Sequence, residues 1–191
     1  MEPFSSNERK STDITDCCVS TSRLPNSRVP IELGNLEIKI SRDGSWYYQG
    51  SVIARKSLVK LFASVLTRDS DGFYYLVTPA ERGRIEIEDA PFVAVSLFCE
   101  GSGKSQKLTF ETNLGEKVTA DSDHPIRVAY HASNGEPSPY ILVRNKLEAL
   151  IARSVYYDLV EHGEESASDC RVYGVWSCGL FFPLGNVDRD E

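Results

Sequence analysis

The chain has 191 residues, 41% of them hydrophobic and 26% charged, with a formal net charge of −7. This composition supports a buried core, and its negative balance argues against non-specific binding to nucleic acid or anionic membrane, which select basic surfaces. No apolar run approaches the roughly 20 residues that cross a bilayer, and residues 1–30 lack the apolar centre of a signal peptide, so no membrane span and a cytoplasmic setting are expected.

Residues 1–34 place their few large apolar side chains at no consistent period. They are expected to form a disordered extension, because they bury too little surface to offset the entropy of ordering. Order is expected from Leu36. Leu36, Ile38 and Ile40 alternate with Glu37 and Lys39, the pattern of a half-buried strand. Asp43-Gly44 marks a hairpin turn, and Ser45 to Gln49 returns as a strand carrying Trp46, Tyr47 and Tyr48. A helix is expected from Ala54 to Thr67, with Leu58, Leu61, Phe62, Val65 and Leu66 facing inward. Phe73 to Thr78 and Arg84 to Glu88 read as strands. Asp89-Ala90-Pro91 then breaks the pattern and divides a subdomain at 35–88 from one at 89–187.

In the second part, Phe92 to Phe98, Lys107 to Thr112, Glu116 to Ala120 and Ile126 to about His131 read as strands. Pro139 to Gly163 reads as a strand running into the strongest amphipathic helix, with Asn145 as cap and Glu148 three residues on. Leu147, Leu150, Ile151, Val155 and Leu159 follow at spacings of three and four, and Gly163 stops the helix. Arg171 to Ser177 and Leu180 to Pro183 close the chain as two strands. Aligning Arg55 with Arg144 matches Leu58 with Leu147, Leu61 with Leu150 and Ala63 with Ala152, an echo that points to a duplicated strand-and-helix unit.

Chemistry is sparse. Among five cysteines, Cys17 and Cys18 are adjacent while Cys99, Cys170 and Cys178 are scattered, which builds neither a disulfide framework nor a zinc spacing. His124, His131 and His162 share no ligand spacing, so no metal is expected. The G-S-G-K-S run at 101–105 ends like a phosphate loop, but Phe98 stands where that loop needs its first glycine and a strand follows it; no nucleotide or other cofactor is expected. Ser177 is a candidate nucleophile if His124 approaches it. The alternative is a tight turn between strands, with His124 as a turn residue before Pro125. Arg55 and Arg144 each read as lying where a strand passes into a helix. Cations are unfavourable there, so each needs an anion. That anion is either a ligand carboxylate or phosphate, or an internal partner such as Asp43, Asp89 or Asp158.

Several runs resemble an uncharacterised bacterial family, the domain-of-unknown-function family numbered 1285. They include R-D-G-S-W-Y-Y-Q-G, L-V-T-P-A-E, I-E-D-A-P-F-V-A-V, T-N-L-G-E-K-V, H-P-I-R-V, P-Y-I-L-V-R-N-K-L-E-A-L-I-A-R-S-V-Y-Y and G-V-W-S-C-G-L-F-F-P-L-G. They lie in order between about Leu36 and Gly185. The resemblance implies an α+β fold with a duplicated antiparallel-strand plus helix unit and a C-terminal half superficially similar to pleckstrin-homology domains. It also implies a binding site between the halves and a part in signalling, with no established activity. It draws attention to Trp46, Asp89, Pro91, His124, Pro125, Arg144, Tyr157, Trp176 and Ser177. The expected function is therefore a non-enzymatic module that binds a small anionic ligand or a protein partner, through Arg144, Arg55, Asp89, Trp46, Tyr157 and Trp176. The alternative is a hydrolase or transferase using Ser177 with His124.

Overall fold

The computed structural model describes residues 30–130, 135–166 and 171–186. His131, Cys17, Cys18, Cys170 and residues 1–29 of the extension expected at 1–34 lie outside the described residues, whereas residues 31–34, expected to be disordered, begin the first strand. The fold is mixed α+β and mostly strand. Its first part comprises β1 (Ile31–Ile40), β2 (Trp46–Tyr48), β3 (Ser51–Val52), α1 (Lys56–Ser64), β4 (Leu66–Arg68), β5 (Tyr74–Val77) and β6 (Glu81–Ile87). Its second part comprises β7 (Phe92–Glu100), β8 (Lys107–Thr112), β9 (Lys117–Thr119), β10 (Ile126–Tyr130), β11 (Pro137–Arg144), β12 (Leu147–Ile151) and α2 (Arg153–Glu161). A last sheet follows, built from β13 (Glu164–Glu165), β14 (Val172–Ser177) and β15 (Leu180–Asn186).

The duplication is real, and it lies in the sheets. The first six-stranded sheet has the order β3-β2-β1-β6-β5-β4, and the second has β10-β11-β12-β7-β8-β9. Each is a three-strand meander followed by another, closed by a parallel pairing of its first strand with its last. Ile40 lies beside Ile87 in one seam, and Phe92 beside Ala149 in the other. The helices do not occupy equivalent places. In the first unit α1 joins the two meanders; in the second a turn at residues 120–125 does so, and α2 comes after the sixth strand. Consequently the Arg55–Arg144 alignment sets a helix against a turn and a strand.

That is the main correction to the sequence reading. Asn145 caps no helix. Asn145 (φ 43°) and Lys146 (φ 66°) are both left-handed and form the two-residue turn of the β11–β12 hairpin. Asparagine favours helix caps and left-handed turns for the same reason, a short side chain that bonds to nearby backbone, so the residue alone does not choose. Leu147, Ala149 and Ile151 are buried on alternating strand positions, while Val155 and Leu159 are buried on α2 as expected. In α1 the inward residues are Val59 and Ala63, with Phe62 stacked on Trp46, whereas Leu61 is 60% exposed. The helix ends at Ser64, and Leu66 is buried from a strand instead. One hydrophobic cluster unites both sheets, from Ile40, Trp46 and Val59 to Phe92, Phe110, Val155 and Val175.

Candidate functional site

Polar side chains tie the two parts together, and a cleft opens beside one of these contacts. The turn at Ser41 to Ser45, between β1 and β2, carries Arg42 toward the second sheet. Arg42 Nε lies 3.1 Å from Asp89 Oδ2, and its Nη2 donates to Ser138 Oγ at 3.2 Å. The other Asp89 oxygen accepts the Tyr140 hydroxyl at 2.7 Å. Asp89 thus stands between a first-sheet arginine and a β11 tyrosine. Burial, and then the bond to Asp89, push the Tyr140 phenol from its ordinary 10.0 up to about 12.

This shift has a measurable consequence. The unfolded phenol ionises near pH 10, whereas the folded one keeps its proton toward 12. Its contribution is therefore complete below about pH 10 and is lost as pH rises through about 12. In urea unfolding across that window, Tyr140→Phe is expected to lose about 1–2 kcal/mol less stability than the unsubstituted protein. Identical pH slopes for the two proteins would contradict this.

The cleft has a volume of about 340 Å³. Arg42 is its contribution from the first sheet. Glu136, Pro137, Ser138 and Pro139 form one wall, where β11 begins. Leu150 to Arg153, with Tyr156 and Tyr157, form the other, where β12 passes into α2. Arg153 Nη2 bonds Glu136 Oε1 at 2.6 Å across the mouth. The first turn of α2 has no side-chain cap and no acidic residue, so its N-terminal end adds positive potential beside both arginines.

The expected ligand residues separate. Tyr157, 59% exposed, lines the cleft, and Asp89 holds Arg42 from behind. Arg144 ends β11 and starts no helix; its guanidinium pairs with Glu116, donates to Ala63 O at 2.7 Å and lies 5.1 Å from the Phe92 ring. A cation facing the C-terminal carbonyls of α1 is favourable, the opposite of the situation expected at a helix start. Arg144 lines a separate depression with Lys60, Leu114, Gly115 and Glu116. Arg55 does precede a helix, as the exposed cap residue of α1, and makes no side-chain cap bond. Trp46 is core, 1% exposed, with its Nε1 unpartnered among the described residues. Trp176 lies on the last sheet, donating to Glu164 at 2.6 Å and packing edge-on to Phe181.

Ser177 and His124 are engaged separately. The Ser177 hydroxyl, 0% exposed, donates to Ala120 O at 2.6 Å and accepts Leu108 N–H at 3.0 Å, pinning β14 to β8. A proton given to a carbonyl is not being drawn off by a base. His124 Nδ1 and its backbone N–H both meet Asp121 Oδ1 at 2.9 Å, a local turn. Burial works against the Asp121 carboxylate, but the His124 ring and the N–H groups of Asp123 and His124 outweigh it and hold Asp121 below the usual range. No group of three or more His, Cys, Asp or Glu among the described residues is arranged to hold a metal.

Sequence reasoning missed Arg42, Ser138 and Arg153. Arg42 opens the R-D-G-S-W-Y-Y run, and Arg153 follows A-L-I-A, so both were in view. What hid them was the tertiary contact that brings residues 42 and 153 to one cleft.

The chain belongs to the DUF1285 family. The family's N-terminal domain, described as a domain of unknown function, matches residues 26–90, and its C-terminal domain, described as a protein of unknown function, matches residues 91–184. A crystal structure of a DUF1285 family protein from Silicibacter pomeroyi DSS-3 is 45% identical, covers 83% of this chain and 84% of that one, and superposes with a TM-score of 0.78. A second, from Shewanella baltica OS155, is 27% identical, covers 70% of this chain and 93% of that one, with a TM-score of 0.51. No curated protein matches the chain. No helix among the described residues is long and apolar enough to cross a membrane.

Proposed function

We propose that this protein is a non-enzymatic binding module of the cytoplasm, and that it takes a small anionic ligand in the cleft between its two sheets. The observation that carries the reading is the convergence of Arg42, from the first sheet, with Ser138, Arg153 and the opening turn of α2, from the second. Guanidinium groups bind carboxylate or phosphate through parallel hydrogen bonds, and positive helix ends favour the same charge. The cleft is within the size range of small-molecule sites, about 300–1,000 Å³.

Isothermal titration with acetate, benzoate, sulfate and phosphate tests the reading. At least one anion is expected to bind saturably. Arg42→Gln is expected to weaken it by about tenfold or more, the loss of a charge-assisted hydrogen bond. Arg153→Gln should weaken it less, since its side chain is 73% exposed. Circular dichroism confirms that the variants are folded. Absence of binding by all four anions, or affinities unchanged in both variants, would overturn the proposal.

A further inference from the structure

The same cleft carries information about which anion it takes. Each of its arginines is already opposed by a carboxylate: Arg153 by Glu136 at 2.6 Å, Arg42 by Asp89 at 3.1 Å. Glu136 is itself part of the wall, and no lysine lines the cleft among the described residues. The remaining positive potential suits a single negative charge. A phosphate monoester brings about −1.5 to −2 at neutral pH, and a polyphosphate more, against two fixed carboxylates within one contact of its site. The walls are largely apolar, with Pro137, Pro139, Leu150 and Tyr156 facing the space beside Arg42 and Ser138. The cleft, of about 340 Å³, gives room for one ring or a short chain beside Arg42.

Resting on the reading of the cleft as an anion site, we infer that its ligand is a small monocarboxylate with an apolar body, an aryl or short-chain acid. The carboxylate lies against Arg42 and Ser138, and the body lies along Pro139, Leu150 and Tyr156. Charge fixes the orientation, and the apolar walls select the length.

Titration of the full-length, nitrogen-15-labelled protein, followed through the amides of Ser138, Ala152 and Tyr156, tests this. The probes are benzoate, butyrate, hexanoate, the neutral isostere benzamide, inorganic phosphate and ADP. Benzoate and hexanoate are expected to shift all three amides. Hexanoate should bind more tightly than butyrate, by up to about fourfold per methylene, and benzamide should bind at least about tenfold more weakly than benzoate. Leu150→Ser should reduce the chain-length dependence while retaining the preference for benzoate over benzamide. Phosphate or ADP shifting these amides at lower concentration than benzoate overturns the monocarboxylate assignment and leaves the anion site standing. Equal binding of butyrate and hexanoate overturns the apolar-body assignment alone. No shift at these amides with any anion overturns both.

Discussion

Gly44→Val, in the buried position of the turn between β1 and β2, lowers the stability of the protein by about 3 kcal/mol. Two effects combine. Gly44 has φ +82°, a left-handed backbone that costs an L-residue about 1–2 kcal/mol and a β-branched one more. A Cβ placed there would also overlap Asn113 Nδ2 and come within 3.1 Å of Val93 Cγ2. Asn113 is the clasp between the two sheets on this side: its amide donates to Gly44 O at 3.3 Å, and its carbonyl accepts Val93 N–H at 3.2 Å. Displacing it gives up two hydrogen bonds of about 1 kcal/mol each. Gly72→Val isolates the backbone effect, because Gly72 has φ +87° and nothing within 4 Å of an added Cβ. Chemical denaturation of the two variants is expected to differ by about 2 kcal/mol in favour of Gly72→Val. Equal losses would show that the Gly44–Asn113 contact contributes nothing.

Arg144→Met is the second large effect, about 2 kcal/mol in the same assay. Methionine keeps much of the apolar stem over Phe92 but removes both donors, leaving the Ala63 carbonyl without this partner and the Glu116 carboxylate without its cation. Benzoate affinity should stay within about twofold of the unsubstituted protein, because Arg144 does not line the anion cleft. A folded, fully stable Arg144→Met that no longer binds anions would return Arg144 to the role the sequence suggested and remove the case for Arg42.

Alternation made most strands legible. Ile38 and Ile40, Ile85 and Ile87, and Leu108 and Phe110 all announce a half-buried strand, and each lies in one. The duplication was legible in kind but not in register. Leucine spacing drew the repeat onto helices, whereas the shared object is a pair of meanders closed by a parallel seam. Parallel pairing between strands far apart in sequence, such as Lys39 with Glu86, leaves no local mark. The hardest segment was Asn145 to Ile151. Its apolar residues at 147, 150 and 151 fit a helical period, while 147, 149 and 151 fit a strand, with alanine at 149 as the quiet member. What decided it was the left-handed pair at Asn145-Lys146, which starts a hairpin and cannot start a helix.

The site was less legible than the fold for a related reason. Arginine at 144 stood out because it flanked an apparent helix start, but its partners were already supplied by the chain. Arg42 looked like an ordinary turn residue next to Asp43-Gly44. Only the packing of that turn against β11 gives it a role, through Asp89 and Ser138. Ser177 and Trp176 have structural partners around β14: one pins it to β8, and the other meets Glu164 beside it.

The most direct measurement is a crystal structure of the protein grown with saturating benzoate. Density is expected in the cleft beside Arg42, with the carboxylate within hydrogen-bonding distance of the Arg42 guanidinium and Ser138 Oγ and the ring against Pro139 and Tyr156. Benzoate bound instead beside Arg144, or a cleft empty at saturation, would contradict this expectation.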